Sequence, residues 1–227
     1  MKYNWLPDFV YGGIDGSVTT FAVVAGVQGA SLSLPIVLIL GFANLFADGF
    51  SMASGKYLSD KAQKEQFEKI KEIEFRHLKE KPQRETEEVR EILTTYGFTG
   101  ADLDRATDII TSNPEGWVDL MMRNEFNLTQ ENIDPMKGAM ATFISFVLVG
   151  FIPLVGYVFK PFLGWDSDQT FFATCVATIT ALFLVGTIKS QFVLRHWLVS
   201  GTETAFIGGF AAAISYFVGY LLRGLVG

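Results

Sequence analysis

The chain has 227 residues, 49% of them apolar, with 24 acidic and 18 basic side chains and a net charge of −6. Eighteen of the acids and 13 of the bases fall between Lys56 and Lys137, so the flanks hold too few charges to solvate a globular surface and read as membrane segments. The acidic balance excludes a phosphate-binding nucleic-acid surface, and the single cysteine, Cys175, excludes an intramolecular disulfide framework and a cysteine-based metal site within one chain.

Five stretches are long enough to cross a hydrocarbon layer of roughly 30 Å at 1.5 Å per helical residue. They are Phe9–Ala30, Leu34–Tyr57, Gly138–Phe159, Thr170–Ile188 and Thr204–Leu222. The first carries Asp15 and lacks a small-x-small cleavage pattern, so it reads as a retained span and not as a cleaved signal peptide. Trp5, Trp165 and Trp197 fall just outside proposed spans, where amphipathic rings favour the headgroup layer. Small residues recur in the fifth (Gly208, Gly209, Ala211, Ala212, Ala213), which suits close helix packing or a subunit seam.

The expected organisation is an all-α membrane protein: five transmembrane helices, with a helical domain inserted between the second and third. Residues 1–57 hold spans one and two, 58–135 the insert, and 136–227 spans three to five. With five spans the insert shares a side with the N-terminus and with the short loop bearing Lys189, Arg195 and His196, while Lys160 and Arg223 lie towards the other side. The positive-inside rule then makes the N-terminus and the insert cytosolic.

Within the insert, Ser59–Lys81 has no Gly or Pro and reads as a direct continuation of the second span, stopped by Pro82. A second helix spans Arg84–Tyr96 with Gly97 as its C′ residue, a third spans Ala101–Ser112 with Thr99 as its cap, and a fourth runs from Pro114 at N1 to Phe126.

Two groups of residues carry candidate chemistry. In the insert, Glu74 and His77 are three apart, as are Glu85 and Glu88, and Met121 and Met122 precede Glu125 by four and three. On helices each group projects from one face. Carboxylates on neighbouring helices bind divalent cations, a histidine suits Fe²⁺, Mn²⁺ or Zn²⁺, and thioethers shift preference towards softer transition metals. The same spacings also suit a solvated charged face and a core methionine pair. In the spans, Asp15 lies in the first, and Asn44, Asp48 and Met52 recur every fourth residue along the second, making one polar stripe. Acids inside a span are costly and line ion or proton paths; a hydrogen bond to a neighbouring helix is the alternative.

Three motifs resemble the vacuolar iron transporter family. YGGIDGSVTT at Tyr11–Thr20 is similar to the family's Asp-Gly-(Ile/Val)-Val-Thr-Thr opening. ADGFSMASGKYLS at Ala47–Ser59 resembles its Ser-Met-Ala-x-Gly-Glu-Tyr second-span motif. WVDLMMRNE at Trp117–Glu125 resembles the Trp-Val-Asp-Phe-Met-Met-x-x-Glu stretch of its cytosolic metal-binding domain. The resemblance implies a homodimer with its pathway at the subunit interface, moving Fe²⁺, in some relatives Mn²⁺, out of the cytosol in exchange for protons. It places Asp15 and Met52 on the path and Glu74, Glu85, Glu88, Met121, Met122 and Glu125 as cytosolic ligands. The chain departs from the family pattern at His77 and Asn44, where relatives carry acids, and at Lys56, where the motif has Glu.

The expected function is therefore divalent-metal transport, Fe²⁺ first with Mn²⁺, Zn²⁺ or Co²⁺ as alternatives, without a resident cofactor or enzymatic activity. The expected location is the inner membrane of a prokaryote or the vacuolar membrane of a eukaryote. A membrane-anchored metal sensor and an iron-oxidising protein are the competing readings; the latter has only one Glu-x-x-His motif, Glu74 to His77, in its favour.

Overall fold

The computed structural model describes residues 3–129 and 133–225. Residues 130–132 of the predicted insert, and residues 1–2 and 226–227 of the flanking segments, lie outside the described residues. Among the described residues there are nine α-helices and no strand. They are α1 (Leu6–Gly29), α2 (Leu34–Glu80), α3 (Pro82–Thr95), α4 (Gly100–Thr111), α5 (Pro114–Asn124), α6 (Pro135–Gly150), α7 (Ile152–Leu163), α8 (Ser167–Lys189) and α9 (Trp197–Leu222). The chain divides into two compact units, residues 59–133 and residues 3–58 with 134–225. Helix α2 contributes to both.

The second unit is the apolar one. Helices α1, α2, α8 and α9 are long and apolar enough to cross a membrane, and α6 with α7 adds a fifth if the bent pair is one span. The third apolar stretch, Gly138–Phe159, falls on two helices, α6 and α7, which meet at Phe151 with a bend of 40°. The cause is local. Pro153 has no amide hydrogen to continue the ladder and its ring crowds the preceding turn. The fifth span is also longer than expected, because α9 begins at Trp197, with the His196 side chain accepting the Leu198 amide at 3.3 Å.

Helix α1 packs against α6, α7, α8 and α9. Backbone meets backbone at its glycines. A β-carbon on Gly16 would collide with the Phe146 carbonyl oxygen, one on Gly150 would lie 2.7 Å from the Gly16 oxygen, and one on Gly219 would strike the Gly26 oxygen. Such close approach is how helices associate where lipid removes the hydrophobic drive between them. A core of Val24, Val27, Val37, Leu45, Phe146, Leu154 and Tyr157 fills the space between α1, α2, α6 and α7. Side-chain hydrogen bonds cross the seams: Ser200 Oγ donates to the Gly186 carbonyl at 2.6 Å and Ser215 Oγ to that of Ala22 at 2.5 Å. The outer faces carry Leu148, Phe172, Phe206, Phe210 and Phe217, all exposed, as a lipid-facing surface requires.

The other unit has its own small core. Val89 and Leu93 of α3 and Trp117 and Met121 of α5 are buried together, and Leu78 of α2 and Leu103, Ala106 and Ile110 of α4 pack on them. Ion pairs tie its periphery, Arg90–Asp104 at 2.7 Å between α3 and α4 and Lys71–Glu115 at 3.2 Å between α2 and α5. Thr99 stands at the start of α4 in extended conformation, but its side chain makes no capping hydrogen bond, so the turn rests on Gly100 at φ 56° instead.

A substitution at Gly16 tests the packing of α1. Gly16→Ala is expected to lower stability by about 1–3 kcal/mol, as overpacking does, read as a fall in the thermal midpoint of the detergent-solubilised protein. Gly16→Val is expected to do worse. An unchanged midpoint in both would contradict the close α1–α6 approach.

Candidate metal centre

The joint between α2 and α3 builds the cluster. Pro82 occupies N1 of α3, where its missing amide hydrogen costs nothing, and pushes Lys81 out of the helical region to φ −138°, ψ 45°. The chain reverses over this one non-helical residue. Glu74 and His77 from the end of α2 and Glu85 from the first turn of α3 therefore face one another.

The His77 Nδ1 atom lies 3.4 Å from Glu74 Oε1 and 3.8 Å from Glu85 Oε1, and one donor atom from each of the three residues falls within 4.8 Å of the others. Glu74 is 1% exposed and Glu85 3%. In each, Oε2 is buried without a hydrogen-bond partner. Two carboxylates this deep, each with an orphaned oxygen, are costly unless a cation or proton joins them.

The electrostatics agree. Burial, then repulsion from Glu85 and Glu125, raises the Glu74 carboxyl above its ordinary range. Burial, then Glu88, does the same for Glu85 and for Glu125. Glu88 and Glu125 thus lie within electrostatic reach of the three-residue cluster without being part of it. Glu88 accepts a hydrogen bond from Arg84 Nε at 3.0 Å. Met121 is fully buried in the apolar core beside Val89, Leu93 and Trp117, and Met122 is equally buried, its carbonyl accepting the Leu128 amide at 2.9 Å.

In the membrane unit, Asp15 of α1 and Asn44, Asp48 and Met52 of α2 are all half-buried. Asp15 and Asp48 are close enough to feel each other's charge. The Asn44 Nδ2 is buried without a partner, and Met52 packs on the core that joins α1, α2, α6 and α7. A further contact went unanticipated: Lys56 Nζ lies 3.2 Å from Asp8 Oδ1, and Asp8 also accepts the Tyr3 hydroxyl. The only sequence signal for it was an acid in the first turn of α1.

The sequence model of the VIT family matches residues 6–220, almost the whole chain and both units. The chain belongs to the vacuolar iron transporter family. It is 38% identical over 230 residues to a vacuolar iron transporter of Toxoplasma gondii, an alignment covering 99% of this chain and 76% of that protein. It is 35% identical to vacuolar iron transporter 1 of Arabidopsis thaliana, covering 92% and 82%, and 30% identical to the vacuolar iron transporter of Plasmodium falciparum, covering 96% and 82%. The VIT family is one of transporters and not of enzymes, and the chain is accordingly an integral membrane protein.

The raised carboxyls of this VIT protein have a measurable consequence. Folding favours the neutral form of Glu74 and Glu85. That contribution is fully present below the unfolded value of about 4.3 and is lost as pH rises through the raised folded values. Without metal, unfolding of the 59–133 unit, followed by Trp117 fluorescence, is expected to become easier as pH rises above that unfolded value of about 4.3. Glu74→Gln is expected to flatten that dependence and to raise stability at neutral pH. An equally steep dependence in the variant would contradict the assignment.

Proposed function

We propose that this protein carries divalent metal, Fe²⁺ first, out of the cytosol across a vacuolar membrane or a prokaryotic inner membrane. The observation that carries the reading is the Glu74–His77–Glu85 cluster, with its two buried, orphaned carboxylate oxygens, in a chain whose relatives are named vacuolar iron transporters. Such a cluster is a loading station: it collects the ion from water and releases it to a second site.

The second site in this reading is the Asp15–Asp48 pair with Asn44 and Met52 beside it. Acids in a span that feel each other's charge hold a cation well and yield it when protonated. Protons entering from the far side compete for the same oxygens, which couples metal export to proton entry. Glu88 and Glu125 concentrate cations around the cluster.

The proposed topology has five spans, with α6 and α7 forming one broken third span. It places residues 58–135 on the cytosolic side together with the N-terminus and the loop bearing Arg195 and His196. Support comes from the basic residues of that loop, against Lys160 and Arg223 on the other side. A homodimer is part of the reading. Ala43, Ala47, Ser51 and Gly55 form a stripe of small residues on α2 with four-residue spacing, and all four are exposed in the single chain. That is the surface a second α2 packs against, next to Asp48 and Met52.

Flux measurements test this directly. Proteoliposomes holding the protein are expected to take up Fe²⁺ in anaerobic buffer when the interior is acidic and to alkalinise as they do so, reported by an entrapped pH dye. Asp15→Asn is expected to abolish uptake, and Asp48→Asn to reduce it by roughly tenfold. Wild-type uptake rates in Asp15→Asn would remove the membrane half of the proposal.

A further inference from the structure

We infer that His77 decides which divalent ions the cluster accepts, turning it from a general hard-cation site into one that prefers Co²⁺, Fe²⁺ and Zn²⁺ to Mn²⁺, Mg²⁺ and Ca²⁺. This rests on the reading of the cluster as metal-binding and goes beyond it to name the class of ion.

The geometry fits a single bound dication, and the donor count sets Ca²⁺ aside. Bonds of about 2.0–2.2 Å hold adjacent donors roughly 3.0–3.5 Å apart. The Glu74 Oε1 to His77 Nδ1 separation of 3.4 Å already matches, and that to Glu85 Oε1, 3.8 Å, needs only a small contraction. Ca²⁺ asks for roughly six to eight oxygens at about 2.3–2.6 Å. The cluster brings together two carboxylates and one imidazole nitrogen; even with both buried second oxygens counted, that is about five protein donors, short of what Ca²⁺ asks for.

The donor types point the same way. Carboxylates and water suffice for Mg²⁺ and Mn²⁺, whereas each imidazole added to a site favours the later first-row ions. Here the nitrogen that faces the two acids is Nδ1, and no other histidine belongs to the cluster. Burial divides the labour. Glu74 and Glu85 are sealed and supply charge to any dication, while the His77 side chain is 35% exposed and stands at the open edge. Nonspecific affinity comes from the acids and discrimination from the histidine. The open edge leaves room for water to complete the coordination, so the ion can leave as readily as it enters.

The test uses the full-length protein in detergent and measures Co²⁺ and Mn²⁺ affinity at fixed neutral pH. The preference for Co²⁺ over Mn²⁺ is expected to shrink by roughly tenfold in His77→Gln and in His77→Glu, the latter still binding both ions tightly. Glu74→Gln and the Glu74→Gln/Glu85→Gln double variant are expected to weaken both ions together and leave the preference in place. Pulsed EPR of the wild type carrying substoichiometric Cu²⁺ is expected to show imidazole nitrogen modulation that His77→Gln removes. An unchanged preference in both His77 variants, with affinity lost in the glutamate variants, overturns the role of His77 and leaves the metal site standing. Unchanged affinity in the double glutamate variant overturns the site and the inference together. Wild-type Cu²⁺ spectra lacking imidazole modulation also overturn the role of His77.

Discussion

Taking a carboxylate out of water without a partner costs several kcal/mol, and this protein does it twice within one helical hairpin. Glu74 and Glu85 are almost wholly buried and each keeps an oxygen that no described residue satisfies. A small four-helix unit with a core of only a few apolar side chains has little stability to spare for such a feature. The rest of the unit follows from that constraint. Pro82 sets the reversal that brings the acids together, the Arg90–Asp104 and Lys71–Glu115 pairs link the helices of the unit at its periphery, and Val89, Leu93, Trp117 and Met121 form its apolar core. In the proposed reading a dication resolves the conflict by neutralising both acids and satisfying their oxygens.

The membrane unit meets a different constraint with a related device. Lipid gives helices no hydrophobic reason to associate, so α1 is stripped to glycine where it meets α6 and α9, and the backbones close to contact. Asp15 sits among those glycines, between Gly13 and Gly16. The helix that carries the acid is thereby the one most firmly held by its neighbours. Its counterpart Asp48 stands on α2, whose small-residue stripe remains exposed. In the proposed reading, the acid on the tightly packed α1 and the acid on α2, with its exposed small-residue stripe, form a site that is rigid on one side and open on the other.

Much of this was legible in the sequence. Charge depletion in the flanks located the apolar unit, and Gly and Pro punctuation placed α3, α4 and α5 to within two residues at each boundary. Spacing put Glu74 with His77 and Glu85 with Glu88 on common faces. Their convergence across two helices was not readable, because it depends on the backbone of a single residue, Lys81. Hydropathy missed the break at Phe151, since an apolar window carries no information on backbone direction, although Gly150 and Pro153 marked the place. It also started α9 too late, because Ser200, Gly201 and Glu203 lower the local average while Ser200 is buried against Gly186. The Met121–Met122 pair illustrates the limit of spacing: its period suited both a ligand and a core residue, and Met121 lies in the core. The Asp8–Lys56 pair joins residues far apart in the chain and has no local signature.

The central claim is that a divalent ion joins Glu74, His77 and Glu85. Hydrogen exchange of the full-length protein, with and without anaerobic Fe²⁺ at neutral pH, measures this most directly, because binding to the native state alone must stabilise it. Protection is expected to rise on adding Fe²⁺ at the end of α2 and through the first turns of α3, residues 74–88, and to be lost in Glu74→Gln/Glu85→Gln. Exchange in that segment that ignores Fe²⁺, or that responds equally in the double variant, would contradict the account.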